Sequence, residues 1–288
     1  MVLIGLALLL VSFALARPKV QVRRTVFNRT GIDLIVGLDV SKSMLAEDAA
    51  LSAEAGKIFS VANRLNRARD FALAILSELR GERIGVFLFA SKGVEVVPLT
   101  RDYGFCRYIL RYIHDAEITV PGSDLGEAVR TGIFLFEEEG AKAARVLVLL
   151  SDGEDTNAEP SSISEAATLA ARSGIRIFTV GIGSGKSVLI PMRSEQGDSI
   201  AGYYLDEEGN HLKTRLEQDP LKAIAGLTGG RYFPAEERNA SEEVMKSILQ
   251  GAREVEYTKG VEPAWLACSP FLLLAGFVFF CWGTWMGR

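Results

Sequence analysis

Three oxygen-bearing side chains at alternate positions, Asp39, Ser41 and Ser43, close an apolar run that begins at Ile32. A buried strand ending in a turn presents all three from one small patch of backbone. One carboxylate and two hydroxyls are hard oxygen donors, the kind a small divalent cation such as Mg²⁺ prefers. Neutral hydroxyls are weak ligands and serve only where the backbone aims them. Mg²⁺ keeps bound waters readily, so carboxylates can act on it through water. Two later segments repeat the theme. Pro121-Gly-Ser-Asp-Leu-Gly-Glu127 brings the Ser123 hydroxyl to the start of a helix, and a second apolar strand from Val146 ends in acid at Asp152.

Other chemistries fit less well. Gly181-Ile-Gly-Ser-Gly-Lys-Ser187 follows a strand like a phosphate loop, but the eight-residue pattern needs glycine where Val180 stands, and no convincing helix follows. A phosphoryl-transfer aspartate at Asp39 usually has a second acid two residues on, where Ser41 stands. His114 and His211 are the two histidines, and neither lies near a candidate nucleophile, against a Ser/His hydrolase. Glu154 and Asp155 follow a strand, where acids are commonly solvated.

Elements that position these residues are legible in the pattern. Continuous apolar runs predict strands at Ile32–Val40, Arg83–Ala90, Arg145–Leu150 and Ile175–Gly181, with shorter ones at Gly93–Leu99 and Gly230–Phe233. Helical spacing predicts helices at Arg64–Leu79, Tyr103–Ile113, Leu125–Phe136, Ser162–Arg172, Leu221–Leu227 and Ser241–Val255. Strands without alternation are covered on both faces. Alternation with helices gives an α/β fold, a doubly wound, mostly parallel sheet flanked by helices. Ligands of such sheets bind beyond the carboxyl ends of the strands, where Asp39 and Asp152 both lie. Two segments break the rhythm: Ala46–Ala62, and Ser184–Leu216 with a hairpin over Gly202–Leu212.

The chain of 288 residues has a formal net charge of −4 and no basic stripe, which argues against nucleic acid as a partner. Its apolar excess sits at the ends. Residues 264–286 carry no charge and include Trp265, Trp282 and Trp285, so they are expected to form a transmembrane helix through membrane lipid. Residues 1–16 are also charge-free but reach only about 24 Å, slightly short of a span. They read as a retained N-terminal anchor, with a cleaved signal ending near Ala14-Leu-Ala16 as the alternative. Arg17, Lys19, Arg23 and Arg24 favour a cytoplasmic middle domain by the positive-inside rule. Cys106 stands alone in that domain, so no disulfide framework is expected there.

The trio Asp39/Ser41/Ser43, then Ser123, then Asp152 resembles the metal-ion-dependent adhesion site (MIDAS) of von Willebrand factor A domains. At the position of Ser123 that family more often has threonine. The match narrows with Gly31-Ile-Asp33, the run Asp39-Val-Ser-Lys-Ser-Met-Leu-Ala-Glu-Asp48, Asn63-Arg-Leu65, Pro98-Leu-Thr100 and Ser151-Asp-Gly-Glu-Asp155. With these motifs the chain resembles the bacterial aerotolerance (Bat-type) von Willebrand A proteins over about residues 1–255. The resemblance implies such a domain over 30–256, an inner-membrane protein anchored at both ends, and a domain facing the periplasm, contrary to the positive flank. It implies a binding and assembly role without catalysis, with a MoxR-type AAA+ ATPase and other von Willebrand A proteins as partners. A membrane-bound Mg²⁺ hydrolase with a base near the metal, and a scaffold with a vestigial metal site, stand as rivals. The exposed charge of a cation held by hydroxyls further predicts a protein partner that presents an acidic residue to the metal edge.

Overall fold

The computed structural model describes residues 2–16, 18–26, 31–113, 122–138, 143–156, 160–194, 199–206, 208–237, 239–255, 260–267 and 269–285. Arg17, His114 and Pro121, named above, lie outside them. Two compact units are present, Thr30–Val255 and the terminal pair Met1–Arg29 with Glu256–Arg288.

In the larger unit six strands form one sheet. They are β2 (Ile32–Asp39), β3 (Arg83–Phe89), β4 (Gly93–Thr100), β5 (Ala144–Ser151), β6 (Ile175–Gly181) and β11 (Tyr232–Pro234). Their spatial order is β11-β6-β5-β2-β3-β4, with β4 antiparallel and the rest parallel. The central strand β2 is buried along its whole length, the reason its residues read as a continuous apolar run. The short edge strand β11 ends at Pro234, and β4, on the other edge, contains Pro98 and pairs to β3 through register shifts.

Two apolar layers cover the sheet. On one side the inward stripe of α2 (Arg64–Glu78), with Ala68, Phe71, Ala72, Ile75 and Leu76, joins Leu34, Val36 and Leu38, residues from α3 (Tyr103–Tyr112) and residues from α7 (Ala240–Val255). On the other, α4 (Leu125–Glu138), α5 (Pro160–Arg172) and α6 (Gln218–Leu227) pack over Ile35, Phe87, Leu147, Leu149 and Ile177. The alternation of Leu34/Val36/Leu38 with Ile35 between the two layers is the two-residue pleat of a strand buried on both faces. The starts of α2 and α3 have a local cause. Asn63 caps α2 by accepting the Asn66 amide at 2.8 Å, and Asp102 caps α3 by accepting the Phe105 amide at 2.9 Å.

The second interruption, Ser184–Leu216, folds as a two-tier arm. Strand β7 (Val188–Leu189) pairs with β10 (Lys213–Thr214), β8 (Pro191–Arg193) pairs with β9 (Ile200–Tyr203), and Leu205 bridges His211. The tip is the expected hairpin: Asp206 Oδ1 accepts the Glu208 and Asn210 amides at 3.0 and 2.8 Å. A short 3₁₀ turn, Ala55–Lys57, lies in the first interruption, and another, Lys42–Leu45, directly precedes it.

The smaller unit departs from expectation. Residues 264–267 belong to β12 (Gly260–Ala267), antiparallel to β1 (Lys19–Val26), and helix begins only with α8 (Ser269–Trp285). The charge-free run is thus split between strand and helix, with Pro270 in the first turn of α8, where a missing N–H costs least. At 17 residues α8 reaches roughly 26 Å, and α1 (Val2–Leu15) reaches less. Among the described residues no helix is long and apolar enough to cross a membrane. Gly276 lets the two helices approach, since a Cβ there would meet Val11 at 3.3 Å.

Phe71 is 1 % exposed in the α2 layer. Phe71→Ala should cost about 3–5 kcal/mol of stability, measured by chemical denaturation of the full chain in detergent. A loss below about 1 kcal/mol would contradict this packing.

Candidate metal centre

Strands β2 and β5 are parallel neighbours in register Leu38↔Leu150, so their carboxyl ends open on one edge. Asp39 ends β2, and Asp152 is one residue beyond β5. The level partner of Asp39 is Ser151, whose hydroxyl donates to Asp39 Oδ2 at 2.6 Å. The chain then turns: the Ser41 amide donates to Asp39 Oδ1 at 2.9 Å, a bond that holds the loop over its own strand. Ser41 sits at the N-cap of the 3₁₀ turn but makes no capping bond with its side chain. Its hydroxyl instead lies 3.0 Å from that of Ser43.

Ser123 arrives from another element. Its amide donates to Thr156 Oγ1 at 3.0 Å, and the Thr156 amide donates back to the Ser123 carbonyl at 3.0 Å. Next to it the Asp124 amide donates to the Ala90 carbonyl at 3.0 Å, and Asp124 caps α4 by accepting the Glu127 amide. The Ser123 hydroxyl is left pointing at Asp39 Oδ2, 3.4 Å away. The Ser43 side chain favours the charged form of Asp152. All five residues expected from the sequence therefore converge. The carboxylates are fully buried, while Ser41 and Ser43 keep 7 % exposure, so the hydroxyls lie at the mouth and the acids beneath.

Burial and the neighbouring Asp152 push the Asp39 carboxyl up to about 7, against the bonds from Ser151 and Ser41. Burial raises Asp152 as well, opposed by the charge of Arg64 and the Ser43 bond. Arg64 Nη1 donates to Asp152 Oδ2 at 2.8 Å, so one of the two acids has a cationic partner. Asp39 is held by hydroxyls and an amide. A divalent cation among the three hydroxyls would supply the positive charge this carboxylate lacks, and the donor set fits one. Among the described residues no group of three or more His, Cys, Asp and Glu side chains is placed to hold a metal. The donors here are two carboxylates and three hydroxyls.

Further residues complete the centre that spacing alone did not single out. Ser151 is a buried partner of Asp39 that also accepts the Gly153 amide at 2.9 Å. Gly153 has φ of +78°, and a Cβ there would fall 1.9 Å from the Glu217 carbonyl oxygen. Arg64 forks onto Asp48, Nε to Oδ1 at 2.7 Å and Nη2 to Oδ2 at 2.9 Å. Burial works against the Asp48 carboxylate, yet the Arg64 and Ser184 hydrogen bonds hold it below the usual range. The loop that resembles a phosphate cradle is engaged otherwise: the Ser184 amide and hydroxyl both donate to Asp48 Oδ2, at 2.9 and 2.8 Å. Glu154 accepts the Arg215 amide at 3.1 Å, and burial followed by the Asp152 charge raises its carboxyl. His211 packs edge-on against Tyr203, with ring centres 5.7 Å apart.

A mostly parallel sheet with Asp, two serines, a third hydroxyl and a second Asp at its carboxyl edge defines the class. Residues 34–154 match the family model of the von Willebrand factor type A domain, and the chain carries such a domain. Its structural neighbours include an aerotolerance-related membrane protein and BatB. The crystal structure of BatB from Bacteroides thetaiotaomicron superposes with a TM-score of 0.67 at 26% identity, over 78% of this chain and 100% of that one. An aerotolerance-related membrane protein from Bacteroides fragilis shares the fold with a TM-score of 0.66 at 24% identity, over 76% and 100% of the two chains. An uncharacterized protein of Borreliella burgdorferi is 27% identical over 229 residues, 79% of this chain. The match spans 61% of that relative's length.

Two outcomes follow from this geometry. Because the folded Asp39 carboxyl titrates above its unfolded value of 3.8, its contribution is complete below that value and lost as pH rises through about 7. At about 1.4 kcal/mol per unit, the cation-free chain should lose a few kcal/mol over that window relative to Asp39→Asn, read from urea unfolding. Parallel pH profiles of the two proteins would contradict it. Gly153→Ala should cost roughly 2 kcal/mol or more, through both its φ and the Glu217 clash, as a fall in melting temperature.

Proposed function

We propose that this chain binds a partner protein through a divalent cation, Mg²⁺ in the simplest case, held at the carboxyl edge of the sheet. Asp39, Ser41, Ser43, Ser123 and Asp152 are the residues that would hold it. The observation that carries the reading is the buried Asp39 carboxylate, lodged beside Asp152 and under three hydroxyls, without a cationic partner of its own among the described residues. The cation supplies an uncompensated positive charge at the mouth of the site, since the ligands nearest the surface are neutral. A carboxylate from a partner would meet that charge in a partly desolvated place, where a charge-assisted bond is strong. Partner contact then depends on metal and on an acidic residue across the interface. No catalytic step is assigned. Turnover of a phosphoester that disappears in Asp39→Ala would replace this reading with a hydrolase.

The setting we infer is a membrane. Leu8, Leu9 and Phe13 of α1 and Phe271, Leu274, Phe277, Trp282 and Trp285 of α8 are all more than half exposed. Apolar surface of that extent on a pair of helices calls for lipid or protein to cover it. Each helix is short for a full span, so their association with lipid would be insertion at the interface. Resemblance to Bat-type proteins supports a periplasmic domain and a partner among MoxR-type AAA+ ATPases or other von Willebrand A proteins, with envelope stress tolerance as the process.

Saturating Mg²⁺ should raise the melting temperature of the full chain in detergent by ordinary linkage, and Asp39→Ala should remove the shift. Superimposable curves with Mg²⁺ and with EDTA would count against the site. For orientation, a cysteine placed at Ser199, in the exposed arm, should label with an impermeant maleimide in intact cells, in a background without the native cysteines. Labelling only after lysis would place the domain in the cytoplasm.

A further inference from the structure

Arg64 opens α2, yet its side chain has no exposure at all. A buried guanidinium is costly unless its donors are matched, and here they are matched to three different parts of the domain. Two go to Asp48 in the first inserted segment. Nη1 is shared between Asp152 and Thr214 Oγ1, each at 2.8 Å, and Thr214 lies in β10 at the base of the arm. Gly183 makes room for the group: a Cβ there would lie 2.4 Å from Arg64 Nε.

The same two inserted segments are joined again around the mouth. Glu47 pairs with Arg193 of β8 at 2.6 Å, and Ser184 is tied to Asp48. Lys42, exposed between the two hydroxyl donors, places Nζ 5.1 Å from the centre of the Tyr204 ring. A rim built from segment 46–62 and the arm therefore stands beside the donors, and Arg64 is its one buried bond to a donor carboxylate among the described residues. The fork of a guanidinium is planar and rigid, so a shift at Asp152 is passed to Asp48 and Thr214 rather than absorbed.

We propose that Arg64 is a positioning residue that carries cation occupancy into the partner-facing rim, so that metal binding orders segment 46–62 and the arm together. The proposal rests on the cation reading of the site and adds to it that the surface read by the partner is itself set by the metal. Lysine at this position keeps the charge but reaches one carboxylate, and thus separates charge from bridging.

The test follows occupancy and order independently, on the full chain in detergent. Mn²⁺ reports occupancy by electron paramagnetic resonance, and hydrogen exchange with and without Mg²⁺ reports order. The arm amides to watch are those of Ile190, Tyr204 and Leu212, bonded to Leu212, Ile190 and Tyr204 carbonyls. In the natural protein Mg²⁺ should slow their exchange about fivefold or more, together with that of segment 46–62. Asp48→Asn and Arg64→Lys should both lose most of that slowing, and Asp48→Asn, which touches none of the five proposed cation-holding residues, should bind Mn²⁺ within about threefold of the natural protein, or 0.7 kcal/mol. Lys57→Ala, an exposed change inside segment 46–62, should respond like the natural protein. Near-UV circular dichroism checks each fold, and Asp48→Asn decides if Arg64→Lys does not fold. Mn²⁺ binding that leaves arm exchange unchanged, or variants that respond fully, would overturn the coupling while leaving the metal site standing. Absence of Mn²⁺ binding in the natural chain would remove both.

Discussion

A carboxylate taken out of water costs several kcal/mol unless some group answers its charge, and two of this domain's aspartates, Asp39 and Asp152, are fully buried on adjacent strand ends. Much of the local architecture can be understood as a response. Parallel pairing of β2 with β5 puts the acids on one edge and sets Ser151 level with Asp39, where its hydroxyl reaches. Arg64 answers Asp152 from the helix that follows the first insertion. Gly153 permits the turn that brings the chain past Glu217 without moving Asp152. Among the described residues Asp39 has no cationic partner, and the proposal of a cation at this edge rests on that.

The burial order matters as much as the composition. Hydroxyls at the mouth with acids beneath them give a centre whose outer ligands are neutral and adjustable, while its charge is fixed below. Such a centre holds its geometry through backbone bonds, Ser41 onto Asp39 and Ser123 with Thr156, so the hydroxyls need no carboxylate to orient them individually.

Strand and helix identities in the larger unit were legible because both layers of the core leave a strong period in the chain. Ile32–Asp39 is apolar throughout since both faces are covered, and Arg64–Glu78 shows its stripe since one face is. The meeting of the five oxygen-bearing side chains was legible because each lies at or beside the end of an element, where position is fixed by backbone. Arg64, Asp48 and Thr214 were not, because their meeting depends on tertiary placement of segments separated by 16 and 150 residues. Asn63-Arg-Leu65 and the acid ending the Asp39–Asp48 run did enter the family resemblance, but nothing in their spacing says that they touch. The apolar terminus misled for a different reason. Hydropathy measures the charge-free length of 264–286, whereas the pairing of β12 with β1 claims its first four residues as strand.

One more property comes from the sheet's two borders. An open sheet offers unpaired N–H and C=O groups at each side, a template on which another chain can add a strand. Here one border is β11, three residues long and closed by Pro234, and the other is β4, with Pro98 and register shifts in its pairing. Neither presents the long, flat row of amides that strand addition needs. Many copies crowded side by side would thus be protected against polymerising into continuous sheets, and a contact between them would have to be made by loops and side chains.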